Sequence, residues 1–317
     1  MQRLIRSSID RLLARSPRVR GMVAGMLGHR LTPLDLDFLR AIPQGLVVDL
    51  DRQFDYRRSA DPSARGLESV LWSVLWEASA TRRIGSPCPL LAEFRLRGKR
   101  FRMELDLAES PECGYALRNP TIELTSLLVA GGDVMLDIGA NAGFHALTAA
   151  CFYRRVVAFE PTPATADRLA RSVALSGFGN VELERCALSN ANGTATFAID
   201  PTHCGTNRIG TGAQTLSVPM RRLDDLVAER GASFGRVSLA KIDVEGHECE
   251  VLEGARELVA RDRPTLFVEF NTAAHFDRFR AMLPAGYRAC TVDVDGRETP
   301  IATAAQAVAV RDVTFRA

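Results

Sequence analysis

The sequence predicts an α/β protein. Its main body is a mostly parallel sheet with helices on both faces and an antiparallel edge strand, preceded by an N-terminal α+β extension. Three observations carry this. From about residue 121 onward, short apolar runs alternate with stretches of helical periodicity, the pattern of parallel strands covered on both faces. The run "VMLDIGANAG", residues 134–143, passes from an apolar strand through two glycines into a helix. Upstream of residue 115 that alternation is missing and the texture is irregular. The reading therefore divides the chain into residues 1–114 and 115–317.

In chain order, residues 1–31 hold arginines among apolar residues at helical spacing. They suit a solvated helix that packs on its own domain, or peripheral contact with an anionic membrane surface. Residues 63–83 predict a helix, with Leu67, Leu71, Val74 and Leu75 on one face. Trp72 and Trp76 share a helical face there and read as core residues. "LAEFRLRGKRFRMELDL" alternates and turns at Gly98, as a β-hairpin does. Strands then follow in "VMLDIG", "VVAFEP", "VELERCAL", "VSLAKIDV", "TLFVEF" and "YRACTVD". Helices are expected over Ala142–Tyr153, Pro163–Ser176, Glu245–Ala260 and Ala273–Met282. "GTATFAID" and "LSVPMRRL" predict an inserted strand pair, and "VAVRDVTFR" a final antiparallel edge strand.

Bulk properties narrow the function. A net charge of +2 argues against a nucleic-acid partner. The basic residues are almost all arginine, with only Lys99 and Lys241 as lysines, which points to a GC-rich, bacterial genome. Seven cysteines, none spaced as CxxC, exclude a disulfide framework or zinc site and point to a reducing cytoplasm. No apolar run reaches the ~18 residues of a membrane span.

The chemistry-bearing residues gather at predicted strand ends, where open α/β sheets bind ligands. Gly139 permits a sharp turn and close backbone approach, and Gly143 lets the helix start near the strand. Asp137 before the turn disfavours a phosphate ligand, because a carboxylate repels it. Neither G-x-G-x-x-G nor a Walker loop is present, since the run is G-A-N-A-G. Glu160 ends the next strand 23 positions after Asp137, the place of an acid that accepts hydrogen bonds from a ribose diol. Pro161 ends that strand and frees the acid from the ladder. In a nucleoside site, backbone groups near Cys186–Leu188 would lie beside the base. Lys241, Asp243, Glu245, His247 and Glu248 crowd a fourth corner, and Glu269 interrupts an apolar strand, with Asn271 and His275 after it. Such a group can supply a general base for a hydroxyl nucleophile. It can alternatively bind Mg²⁺ through Asp243 and Glu269.

The motifs "DIGANAG", "AFEP", "CALSNANG", "VPMRRLDDL" and "KIDVEGHECEVLEGA…PTLFVEF", taken in order, resemble the FkbM methyltransferases over roughly residues 115 to 295. The resemblance implies a class I, Rossmann-like fold and S-adenosylmethionine as cofactor. It implies transfer of methyl to a hydroxyl of a sugar, glycan or polyketide-like acceptor. By position it implies that Asp137, Gly139, Ala140, Asn141 and Gly143 form the methionine-side pocket. Glu160, with Pro161, would hold the ribose, and Cys186 and Ala187 would border the adenine. Asp243, Glu269 and His247 would stand at the reacting centre. Residues before about 110 carry no motif of that family and are expected to act as a lid or recognition module.

Two other functions fit less well. A nicotinamide-dependent oxidoreductase needs the middle glycine that is missing here. A methyltransferase-like binding protein without catalysis would not need all of Asp137, Glu160, Asp243 and Glu269.

Overall fold

The computed structural model describes residues 46–58, 89–106, 115–117, 121–200 and 204–317. The expected helix at 63–83 and the arginine-rich stretch at 1–31 lie outside these residues.

The elements run β1 (Leu46–Asp49), α1 (Leu50–Arg58), β2 (Pro89–Leu96), β3 (Lys99–Asp106), α2 (Ile122–Leu128), β4 (Gly132–Ile138), α3 (Phe144–Ala150), β5 (Tyr153–Phe159), α4 (Pro163–Ser176), β6 (Val181–Glu184), β7 (Ala187–Leu188), β8 (Gly193–Ile199), β9 (Arg208–Ile209) and β10 (Gln214–Arg221). They continue α5 (Leu223–Arg230), β11 (Val237–Ile242), α6 (Glu248–Glu253), α7 (Arg256–Asp262), β12 (Thr265–Glu269), α8 (Ala273–Met282), β13 (Arg288–Val292), β14 (Glu298–Pro300), α9 (Ala304–Val310) and β15 (Asp312–Arg316).

The main sheet has eight strands in the order β14-β13-β15-β12-β11-β4-β5-β6. The five strands from β12 to β6 are parallel. Strand order reverses between β4 and β11, and such a switch point opens a crevice at the carboxyl ends. Alternation along the strands assigns the two faces. Leu136 and Ile138 of β4 join Ala240 and Ile242 of β11 against α5–α8. Met135 and Leu239 join Leu124, Ala146 and Leu169 of α2, α3 and α4 on the other face. Asp137 and Lys241 continue this second face by parity, and they are cross-strand neighbours in register.

A four-stranded sheet, β7-β10-β8-β9, stands beside this body, and the strands β1, β2 and β3 make a third. The hairpin turns at Arg97–Gly98 as expected, but β1 adds to β2 in parallel, which was not foreseen. Phe94, Phe101 and Met103 of the hairpin share a core with Phe144 and Leu147 of α3. Helix α4 also closes the hairpin's outer edge. Ser176 Oγ accepts from the Arg102 amide and donates to the Arg102 carbonyl, and Ser172 Oγ accepts from the Glu104 amide.

Three expectations need correction. "VELERCAL" is not one strand: β6 pairs with β5 of the main sheet, while β7 pairs with β10 of the second. The helix expected over Glu245–Ala260 starts later and breaks. Glu245 has φ 57°, and a Cβ at Gly254 would stand 2.0 Å from the Ser189 carbonyl oxygen. Asp224 then accepts from the amides of Glu257 and Leu258, capping a separate α7. The final strand is not an edge. Residues 304–310 are helical behind a Thr303–Gln306 capping box, and β15 lies between β12 and β13, antiparallel to both. Its buried Val313, Thr314 and Phe315 require covered faces, and β14 is the edge on that side of the sheet.

Candidate functional site

The crevice at the carboxyl ends holds a cavity of about 620 Å³, within the roughly 300–1,000 Å³ of small-molecule sites. Its floor is the turn after β4. The amides of Gly139 and Ala140 both donate to the Phe159 carbonyl, at 3.2 and 3.0 Å. Gly139 is obligatory: φ is 79°, and an added Cβ would stand 1.9 Å from the Asp243 carbonyl oxygen. Gly143 has φ 91°, and a Cβ there would strike Leu169 at 2.1 Å. The turn is therefore pressed against β11 on one side and α4 on the other.

Glu160 follows β5 and is buried on the cavity wall. Its Oε2 accepts from the Asn141 amide at 3.0 Å and its Oε1 from the Thr162 amide at 2.8 Å. Each oxygen keeps one lone-pair direction for a ligand hydroxyl. Burial raises the Glu160 pKa, and the two amides pull against that. Pro161, Cys186, Ala187, Leu188 and Phe197 continue the wall.

Across the cavity stand Asp243, Glu245 and Glu269, with one carboxylate oxygen from each within 4.8 Å of the others. Burial, then the Asp243 carboxylate, push Glu269 up to about 8, while Arg311 pairs with it. Burial and Asp243 likewise push Glu245 up to about 7. Asp312, at the start of β15, rises to about 7 for the same two reasons. Lys241 lies between this cluster and the floor. Its Nζ is 3.2 Å from Asp243 Oδ2 and 3.4 Å from Asp137 Oδ1, and it donates to the Gly139 carbonyl at 2.9 Å.

A family model for the methyltransferase FkbM domain matches residues 137–289, the span that supplies the floor, the Glu160 wall and the acidic cluster. The chain carries an FkbM methyltransferase domain. A hexuronic acid methyltransferase of Haloferax volcanii, AglP, is 36% identical, covering 38% of this chain and 49% of that protein. Methyltransferase sdnD of Sordaria araneosa is 30% identical, covering 39% of this chain and 60% of its own length. The match thus takes in about half to three fifths of these curated relatives. Among solved structures, an FkbM methyltransferase from Methylobacillus flagellatus has a TM-score of 0.38 at 16% identity, covering 59% of this chain and 44% of that one. The O-methyltransferase TomG of Streptomyces achromogenes, solved with S-adenosylmethionine, has 0.36 at 15%, covering 62% and 78%.

The FkbM domain brings most of the sequence-derived residues to this one cavity. Gly139, Ala140, Asn141, Gly143, Glu160, Pro161, Cys186, Ala187, Asp243 and Glu269 all line it. Asp137 does not. It is fully buried beneath the turn, facing Lys241 rather than the cavity. His247 lines the wall, but its Nε2 is hydrogen-bonded to Ser189 Oγ at 2.9 Å, and its Nδ1 faces Glu250 at 3.6 Å. The Ser189 bond ties the turn after β7 to the start of α6 and holds the ring on the cavity wall. His275 is half-exposed near Glu248, and it does not line the cavity.

Sequence reasoning missed a chain of three side chains at the far end. Tyr115 Oη is 2.9 Å from Thr121 Oγ1, which is 2.8 Å from His145 Nε2. Burial holds His145 well below the ordinary histidine pKa. Met103 of the hairpin and Ala116 line the same end. The FkbM domain's cavity is therefore closed by residues that precede residue 137, and no local sequence signal marks them. No helix among the described residues is long and apolar enough to cross a membrane.

Proposed function

We propose that this chain is an S-adenosylmethionine-dependent O-methyltransferase acting on a hydroxyl of a sugar, glycan or polyketide-like acceptor. The observation that carries the reading is the Glu160 carboxylate. It is buried at a strand end beside a glycine turn, fixed by two backbone amides, and open to the cavity. That donor and acceptor set fits a ribose diol, and the bare Gly139–Asn141 backbone fits the close approach of the rest of the nucleoside. S-adenosylmethionine would supply an electrophilic methyl group when bound. Cys186 and Ala187 would border its base. The name of the Haloferax relative supports an acceptor of the sugar-acid class.

Opposite Glu160, the residues of this chain organise the acceptor side. A sugar hydroxyl is a weak nucleophile near neutrality and needs a proton acceptor within hydrogen-bond reach. Asp243, on the cavity wall with a partly exposed side chain, takes that proton. Glu269, pushed up to about 8, mostly holds a proton near pH 7, and Glu245, at about 7, holds one about half the time; a protonated carboxyl there can orient the acceptor by donating to it. Residues 1–114 are assigned to acceptor recognition, because Met103 already reaches the cavity.

The test is a calorimetric titration with S-adenosylhomocysteine, run beside NAD. Binding of the first alone is expected. Binding of NAD, or of neither, would overturn the cofactor assignment.

A further inference from the structure

Lys241 is one of only two lysines in the chain, and it is buried beside the cavity. A buried ammonium is costly unless it is paired and hydrogen-bonded. Here three partners come from three places in the chain: Asp137 on β4, the Gly139 carbonyl of the turn, and Asp243 after β11. The Asp137 carboxylate is fully buried, and the donors that face it are the Lys241 ammonium and the Ala146 backbone amide. Among the described residues Lys241, at 3.4 Å, is the cation that pairs with it. Register makes this inevitable, because Lys241 and Asp137 are directly opposed across β11 and β4.

We propose that Lys241 is a positioning residue that joins the two halves of the site. Its ammonium balances Asp137 beneath the glycine turn, holds the turn through the Gly139 carbonyl, and fixes Asp243 at the acceptor side. Asp137 thereby shapes the cofactor pocket without touching its contents. The Gly139 turn can close to within van der Waals distance of the Asp243 carbonyl only while this central charge is balanced. The proposal uses the methyl-donor reading for one of its two measurements and stands apart from it in the other.

The experiment is a double-variant cycle on the full chain with Asp137→Asn, Lys241→Met and both together. Thermal midpoint and affinity for S-adenosylhomocysteine are measured for each. Lys241→Met alone strands a buried carboxylate. It is expected to lower the midpoint by more than about 5 °C and to weaken S-adenosylhomocysteine on the order of 100-fold. The double variant removes both charges and is expected to recover most of both losses. A filler role predicts the reverse, with the double variant as damaged as the sum of the singles or unfolded, and that result would overturn the proposal. If the unaltered chain does not bind S-adenosylhomocysteine, the proposed function falls, and the thermal midpoints still decide the role of Lys241.

Discussion

The two ends of the central strands use the same residue types to opposite effect. At the amino ends, Asp133 accepts from the Arg236 amide at 2.8 Å and pairs with Arg154, and Asp262 accepts from the Val237 amide at 2.7 Å and pairs with Arg261. The Arg154 hydrogen bond holds Asp133 below the usual carboxylate range. Burial raises Asp262, but Arg261 and the Val237 amide outweigh it and leave it lowered. At the carboxyl ends, burial raises Glu160, Glu245, Glu269 and Asp312. One end spends its acids on satisfying backbone and arginines. The other gathers acids around a cavity, where burial outweighs the Arg311 pair of Glu269 and the two amides on Glu160, at a cost in stability. An acid with its bonds fully made is a fastener, and an acid left partly unmade is available to a ligand.

The largest effect that would sharpen this contrast is at Asp243. Asp243→Asn is expected to keep S-adenosylhomocysteine affinity within about threefold and to lower methyl transfer about 10²–10⁴-fold, the usual loss with a positioned base. Turnover would be followed on whichever member of a panel of sugars and sugar acids the unaltered chain methylates. Next, Glu160→Ala removes an acceptor of two ligand hydroxyls. It is expected to weaken S-adenosylhomocysteine roughly 100-fold in calorimetry, on about 1.5 kcal/mol per charge-assisted bond. At the opposite end, Asp262→Asn is expected to cost about 1–3 kcal/mol of stability in a urea titration while leaving that affinity unchanged. A loss of affinity there would break the division between the two ends.

The smallest effect concerns pH. The folded pKa of Glu269 is raised, so its contribution to stability is fully present below the unfolded value and is lost as pH rises through about 8. Asp133 and Asp262 are lowered, so their contribution is present above the unfolded value and is lost as pH falls through their folded values. Glu269→Gln is therefore expected to flatten the fall in thermal midpoint between about pH 5 and 8. The acid limb below pH 4 should remain. An unchanged slope between pH 5 and 8 would remove Glu269 from the account.

The parallel half of the fold was legible because each strand carries its own apolar run and each helix its own punctuation. Pro163 and Gly177 bracket α4 where the sequence placed its ends. The glycine turn and Glu160 were legible because their geometry is local to one βαβ unit. What failed to show depended on distant partners. Nothing in "VELERCAL" says that a second sheet takes its last two residues. Nothing in "VAVRDVTFR" says that β13 and β14 pair beyond it. Asp137 was recognised as significant but placed in contact with the ligand. The residue that explains its burial lies 104 positions downstream, at Lys241. The Ser189 partner of His247 was hidden for a similar reason, since it lies on another element.

The serines of α4 have a consequence beyond the FkbM domain. The outer edge of β3 would otherwise present the Arg102 and Glu104 backbone groups to any passing extended peptide. Ser172 and Ser176 already occupy those groups. A helix thus stands where a neighbouring molecule's strand would dock along β3.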